Sequence, residues 1–240
     1  MNDVEKHQLV PLRVCDKKND LRASLIGGAK MLEKRLISFI ALLFFSACAL
    51  AEIQVVIKTS LGEITVALDE EIAPITVSNF LQYVDDDSYD NTIFHRVIPN
   101  FMIQGGGLYA DMTEAPEKGM IHNEADNGLR NKKGTIAMAR MNPIDSAGRQ
   151  FFINTKNNSF LDHSSKSCTR EQETKNAELR SQGRYKPQTC KSFGYAVFGV
   201  VVEGMDVVDL IELSDTQSIG PYSDVPKTPI VIMSVERVNR

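Results

Sequence analysis

Hydrophobic and polar positions alternate along most of this chain from residue 53 onward, and that alternation predicts short strands. Ile53 to Thr59 reads as a strand and Ser60-Leu61-Gly62 as a turn. Ile64, Val66 and Leu68 then alternate with Glu63, Thr65 and Ala67, the period of a half-buried second strand. The period changes after Pro74. Val77, Phe80, Leu81 and Val84 share one helical face, a proline suits the first turn, and Asp85-Asp86-Asp87-Ser88 ends the segment. Thr92 to Gln104 returns to β-branched and aromatic residues, broken at Pro99-Asn100 by a turn signal. Gly105 to Leu129 is polar and without periodicity. Gly134 to Arg140, Gln150 to Thr155, Tyr195 to Val202 and Pro229 to Val238 predict further strands. Met205, Val208 and Ile211 predict a short amphipathic helix after Gly204. Many short strands with two helical patterns indicate an all-β sandwich or barrel, and periodicity alone does not choose between them.

The first 51 residues follow a different pattern. Residues 1–30 are polar, mixed in charge and aperiodic. Met31 opens a basic start with Lys34 and Arg35, Leu36 to Phe45 is almost wholly apolar, and Ala49-Leu50-Ala51 is a small-residue cleavage site before Glu52. These are the three parts of a secretory signal peptide, and they point to translation beginning at Met31. A membrane anchor is the competing reading, but a spanning helix needs about 20 apolar residues. Lipid attachment at Cys48 is a third, although Phe45 fits such a motif poorly.

Charge narrows the function classes. The chain carries a net charge of −4; its first 51 residues hold 8 of the 27 basic and 5 of the 31 acidic residues, so the remainder is net −7. A mildly acidic body argues against general nucleic-acid binding. The histidines, at 7, 95, 122 and 163, show no metal-ligand spacing, and the cysteines, at 15, 48, 168 and 190, form no C-x-x-C pair. Gly105-Gly106-Gly107 lacks the Lys-Ser/Thr of a phosphate loop.

One stretch stands apart. Phe94-His95-Arg96-Val97-Ile98-Pro99 and Phe101-Met102-Ile103-Gln104-Gly105-Gly106 put a single cation, Arg96, among apolar neighbours, which is costly unless it has a partner or a task. His95 adjoins Arg96 and by strand alternation points to the opposite face, a structural role. The stretch resembles the signature of the cyclophilins, the peptidyl-prolyl cis-trans isomerases. Gly134 to Arg140 with Gln150-Phe151-Phe152-Ile153-Asn154, then Phe160-Leu161-Asp162, then Phe193 to Gly199, resemble further blocks of that family in order. The resemblance covers roughly Ile53 to Val238 and is closest to the bacterial exported branch.

The resemblance implies a closed eight-stranded antiparallel β-barrel with a helix at each end, spanning residues 52–240. It implies an enzyme that accelerates rotation about X-Pro bonds without cofactor or metal. Arg96 would be the catalytic cation, with Phe101 and Gln104 beside it. Met102, Phe152 and Leu161 would join Phe101 in a socket for the proline ring, Phe160 would be among the substrate-binding residues, and Gln150 would support Gln104 or Arg96. Ala139 and Arg140 would edge the pocket where peptide backbone binds, and Tyr195 would line it. Arg140 replaces the Asn, Phe160 the Trp and Tyr195 the His common in eukaryotic members. The implied partners are proline-containing unfolded polypeptides; the expected form is a periplasmic monomer without a membrane span. A binding module that holds proline segments without turnover is the alternative, and it has no evident need for Arg96.

One segment departs from the family: roughly Ser164 to Lys191 is an insertion dense in charge and framed by Cys168 and Cys190. In an exported protein these two cysteines are expected to pair, against the alternative of two free thiols in a solvated loop.

Overall fold

The computed structural model describes residues 52–184 and 190–238. The expected signal peptide, residues 1–30 and Cys48 lie outside these.

Eight strands form a closed barrel in the order β1-β10-β3-β4-β6-β5-β7-β2, and every described pairing is antiparallel. The strands are β1 (Ile53–Thr59), β2 (Gly62–Leu68), β3 (Thr92–Ile98), β4 (Met102–Tyr109), β5 (Thr135–Met138), β6 (Phe151–Asn154), β7 (Val197–Glu203) and β10 (Val231–Arg237). Their inward residues make one core that includes Val55, Ile57, Ile64, Val66, Phe94, Ile103, Phe151, Ile153 and Phe198. Helix α1 (Pro74–Asp85) adds Val77, Phe80, Leu81 and Val84 to it, and helix α3 (Met205–Glu212) adds Val208 and Ile211.

Helix α1 has no side-chain cap of its own at Ala73. The Glu124 carboxylate does that work from a distant loop: its oxygens accept the amides of Ile75 (3.1 Å) and Thr76 (2.8 Å) and the Thr76 hydroxyl (2.7 Å). A negative group satisfying first-turn amides also suits the positive end of the helix dipole.

Two elements depart from the sequence expectation. The charged insertion is not a simple solvated loop. It contains helix α2 (Arg170–Ser181), in which only Glu173 is buried. A capping box between Thr169 and Gln172 starts it, with Glu171 and Glu173 in its first turn and Arg180 in its last. Cys168 and Cys190 are disulfide-bonded, with Cα atoms 5.0 Å apart. The second departure is a hairpin, β8 (Thr216–Ile219) and β9 (Tyr222–Pro226), packed beside β3.

β4 also runs further than its polar composition suggests, through three glycines to Tyr109. The register between β3 and β4 shifts there, and Gly106 takes φ 82°, where a side chain is strained. A Cβ on Gly107 would lie 2.5 Å from the Gln150 side chain, so glycine makes the room that Gln150 occupies.

Candidate active site

The strands of the barrel wall present a second apolar cluster outward. Met102 on β4, Ala137 on β5, Phe152 on β6 and Val197 on β7 alternate with core residues and meet Leu161, with Phe101, Ala139 and Tyr195 packed against them. Of these, Phe101, Met102, Ala139, Phe152, Leu161 and Tyr195 line a surface cavity of about 440 Å³.

Local geometry places each wall. The turn Ile98 to Phe101 closes with a hydrogen bond from the Phe101 amide to the Ile98 carbonyl (3.2 Å), and Asn100 adopts φ 57°. Asn158 Nδ2 donates to the Phe101 carbonyl (2.7 Å), and a single 3₁₀ turn, Ser159–Leu161, follows. That turn sends Leu161 into the lining and leaves Phe160 outside it, 64% exposed and stacked on Phe101 at 5.5 Å. The Ala139 amide donates to the Gln150 carbonyl (2.9 Å), and Gln104 Nε2 donates to Gln150 Oε1 (2.9 Å), which joins the polar side of the cavity. Tyr195 meets Phe152 edge-on at 5.8 Å, and the Arg140 guanidinium lies 4.9 Å above the Tyr195 ring.

Arg96 lines the same cavity, its side chain 41% exposed. Its Nε lies 3.7 Å from Asp224 Oδ2 on β9. The remaining sequence-derived residues, Phe101, Met102, Gln104, Ala139, Arg140, Gln150, Phe152, Leu161 and Tyr195, line the same cavity, so Phe160 is the one left outside it.

His95 corrects the sequence expectation. Phe94 pairs with Gly105 and Arg96 with Gln104, so β3 has one extra residue, and Phe94 and Val97, three apart, both enter the barrel core. That bulge turns His95 and Arg96 to the same side, and His95 lines the cavity beside Arg96 instead of opposing it. Burial lowers the His95 pKa to about 4; the nearby Ile93 backbone offsets part of this, and the Arg96 charge pushes the same way as burial. His95 is therefore neutral at pH 7.

Sequence reasoning missed one wall of the cavity: Pro221, Tyr222 and Ser223 at the hairpin tip, together with Leu108 and Glu114. Gly220-Pro221 was the available turn signal. It also missed Arg149, 1% exposed, whose guanidinium donates to the carbonyls of Gly106 (2.6 Å), Pro116 (2.6 Å) and Ser88. Arg149 ties three segments together immediately before Gln150.

The geometry agrees with the comparisons. Residues 54–237 match the family model described as cyclophilin type peptidyl-prolyl cis-trans isomerase/CLD. Peptidyl-prolyl cis-trans isomerase A of Dickeya dadantii is 46% identical over 78% of this chain and 85% of its own length. Peptidyl-prolyl cis-trans isomerase B of Escherichia coli is 43% identical over 75% of this chain and 97% of its own. A crystal structure of a Cryptosporidium parvum cyclophilin-type isomerase superposes with TM-score 0.57 at 21% identity, covering 79% of this chain and 99% of that one, which speaks to the fold. A barrel of this topology, matched over most of its length by isomerases at such identity, belongs to the cyclophilin-type peptidyl-prolyl cis-trans isomerases.

Proposed function

We propose that this enzyme accelerates X-Pro rotation during the folding of exported proteins, as a periplasmic monomer, and that Arg96 is its catalytic group. The observation that carries the mechanism is a cation sharing one cavity with an apolar cluster: Arg96 with Phe101, Met102, Phe152 and Leu161. That cluster suits a proline ring. The signal-peptide pattern of residues 31–51 supports export.

The chemistry asks for little else. Amide resonance sets a rotation barrier of about 18–20 kcal/mol. As the C–N bond twists, resonance is lost and a lone pair localises on the prolyl nitrogen. An N–H donor fixed beside that nitrogen stabilises the twisted amide more than the planar one, which is the condition for catalysis. No bond to carbon breaks and no proton need be transferred. Arg96 suits this role because its guanidinium stays charged and presents N–H groups in a rigid plane. Gln104, held by Gln150, faces the cavity to anchor a substrate carbonyl. Ala139 and Arg140 edge it for the peptide backbone.

The test is proline-peptide isomerisation measured by NMR exchange for wild type, Arg96→Ala and Arg96→Lys. Arg96→Ala should lose about 10²-fold or more in kcat/KM, the cost of removing one preorganised donor. Arg96→Lys, which keeps charge but not the planar fork, should recover only part of it. Equal rates for wild type and Arg96→Ala would remove Arg96 from the mechanism. A wild type that binds proline peptides without accelerating exchange would make the domain a binding module.

A further inference from the structure

Helix α2 buries a single side chain, and that side chain is a carboxylate: Glu173, 3% exposed. Burying an acid is costly unless it is paired or hydrogen-bonded, so its bond points to its task. Glu173 Oε1 accepts the Phe193 amide (2.8 Å) on the far side of the disulfide that closes the insertion.

Phe193 opens a three-residue path to the cavity. Its ring packs with Ala125 and Ile144 under the Arg170 guanidinium (4.7 Å). Gly194 follows with φ 110°, and a Cβ there would lie 2.8 Å from the His163 backbone nitrogen, so the chain passes close to its neighbour. The Gly194 carbonyl accepts Arg140 Nε (3.0 Å) and Asn123 Nδ2 (3.1 Å). Tyr195 comes next. Its amide donates to the Leu161 carbonyl (3.0 Å), and its ring carries the Arg140 guanidinium. Arg140, Leu161 and Tyr195 all line the cavity.

Helix α2 reaches the same carbonyl by a second line. Arg170 pairs with Asp145 (2.8 Å) and donates to the Asn123 carbonyl, while Asp145 accepts the Asn123 amide (2.8 Å). Asn123 is thus clamped from both sides, and its side chain is the other donor to Gly194.

We infer that Glu173, seconded by Arg170, is a positioning residue for substrate binding: by fixing the Phe193 amide it sets where Tyr195 and Arg140 present the edge of the cavity to the peptide backbone. The inference rests on the reading of that cavity as the proline site. Arg96 and Gln104 sit on β3 and β4, outside this chain of bonds. Losing the Glu173 bond therefore weakens substrate binding and spares the rotation step.

The experiment measures kcat and KM separately by NMR exchange on a proline-centred pentapeptide, using the full chain with its disulfide intact. Glu173→Ala should raise KM by about three- to ten-fold, the equivalent of one hydrogen bond, with kcat within about two-fold of wild type. Glu173→Gln keeps an acceptor oxygen for the Phe193 amide and should return KM to within about two-fold of wild type. The Arg140 and Tyr195 amide resonances should move in Glu173→Ala and return toward their wild-type positions in Glu173→Gln. A Glu173→Ala protein that melts lower but keeps the wild-type KM overturns the inference and leaves the isomerase standing, and so does a loss confined to kcat. Should Glu173→Ala not fold, Arg170→Gln takes its place: a raised KM at unchanged kcat supports the inference, and a wild-type KM overturns it. Should the wild type turn over no peptide, the isomerase reading fails, and titration with the same pentapeptide decides the positioning role. Weaker binding by Glu173→Ala then supports it, and equal dissociation constants overturn it.

Discussion

Arg96 does not stand alone in its wall: Asp224 lies 3.7 Å away across the solvent-facing side of the hairpin. Asp224 adopts φ 62°, a conformation asparagine accepts as readily, so Asp224→Asn removes the charge and keeps the turn. If the carboxylate holds the guanidinium toward the cavity, this change should lower kcat by about two- to five-fold with KM little altered, as expected for a half-exposed pair. Isomerisation rates of the two proteins check it. His95 carries a different prediction. Its pKa is about 4 in the folded protein, against about 6.5 unfolded, so below pH 6.5 the unfolded chain binds the extra proton. Its contribution to stability is full above about pH 6.5 and is lost as pH falls toward 4, amounting to about 3 kcal/mol. Denaturant titrations of wild type and His95→Gln across that range should show the wild type losing more stability with acid. Simple alternation put His95 on the wrong side of β3 because a bulge is a one-residue insertion in the pairing, and its cause lies in the partner strand. Arg96, Phe101 and Gln104 were legible because the motif carried them; Asp224 was not, because no local pattern ties it to Arg96.

At the scale of elements, legibility followed burial. The strands β1, β2 and β10 and the helices α1 and α3 show their period because one side enters the core. The hairpin β8–β9 does not, since Gln217, Ser218 and Ile219 are all exposed and the buried positions of β9, Val225 and Pro226, are adjacent and do not alternate. Helix α2 was hidden for the same reason, as a sequence polar on all sides has no amphipathic signal. Its stability comes from the capping box, the Arg170 and Glu173 anchors and the Cys168–Cys190 closure, which by chain-entropy reasoning is worth about 3.4 kcal/mol for a ring of this size. Mild reduction should therefore speed amide exchange in residues 170–181 while the barrel strands keep their protection. Hydrogen-exchange mass spectrometry with and without reductant measures it, and equal protection of α2 in both states would assign its stability to the anchors alone.

Across the whole molecule, intact mass of the mature protein tests export and pairing together. Cleavage after Ala51 with the disulfide formed should give the mass of residues 52–240 less two hydrogens. A chain starting at Cys48 and heavier by an acyl group would make it a tethered lipoprotein; one retaining residues 31–51 would refute processing. Alternation gave strands but not their closure or order, because pairing partners such as β1 and β10 lie at opposite ends of the chain; the closed eight-stranded barrel came from the family resemblance, and the structure has it. Alternation along β4, β5 and β6 sends Ile103, Ile136 and Phe151 to the interior and Met102, Ala137 and Phe152 to the opposite face. Architecture and appetite are thus written on separate sides of the same ribbons. On the proposed reading of the cavity, evolution or a protein engineer can revise what this enzyme prefers at outward positions such as Met102 and Phe152 while Ile103, Ile136 and Phe151 inside the barrel stay unchanged.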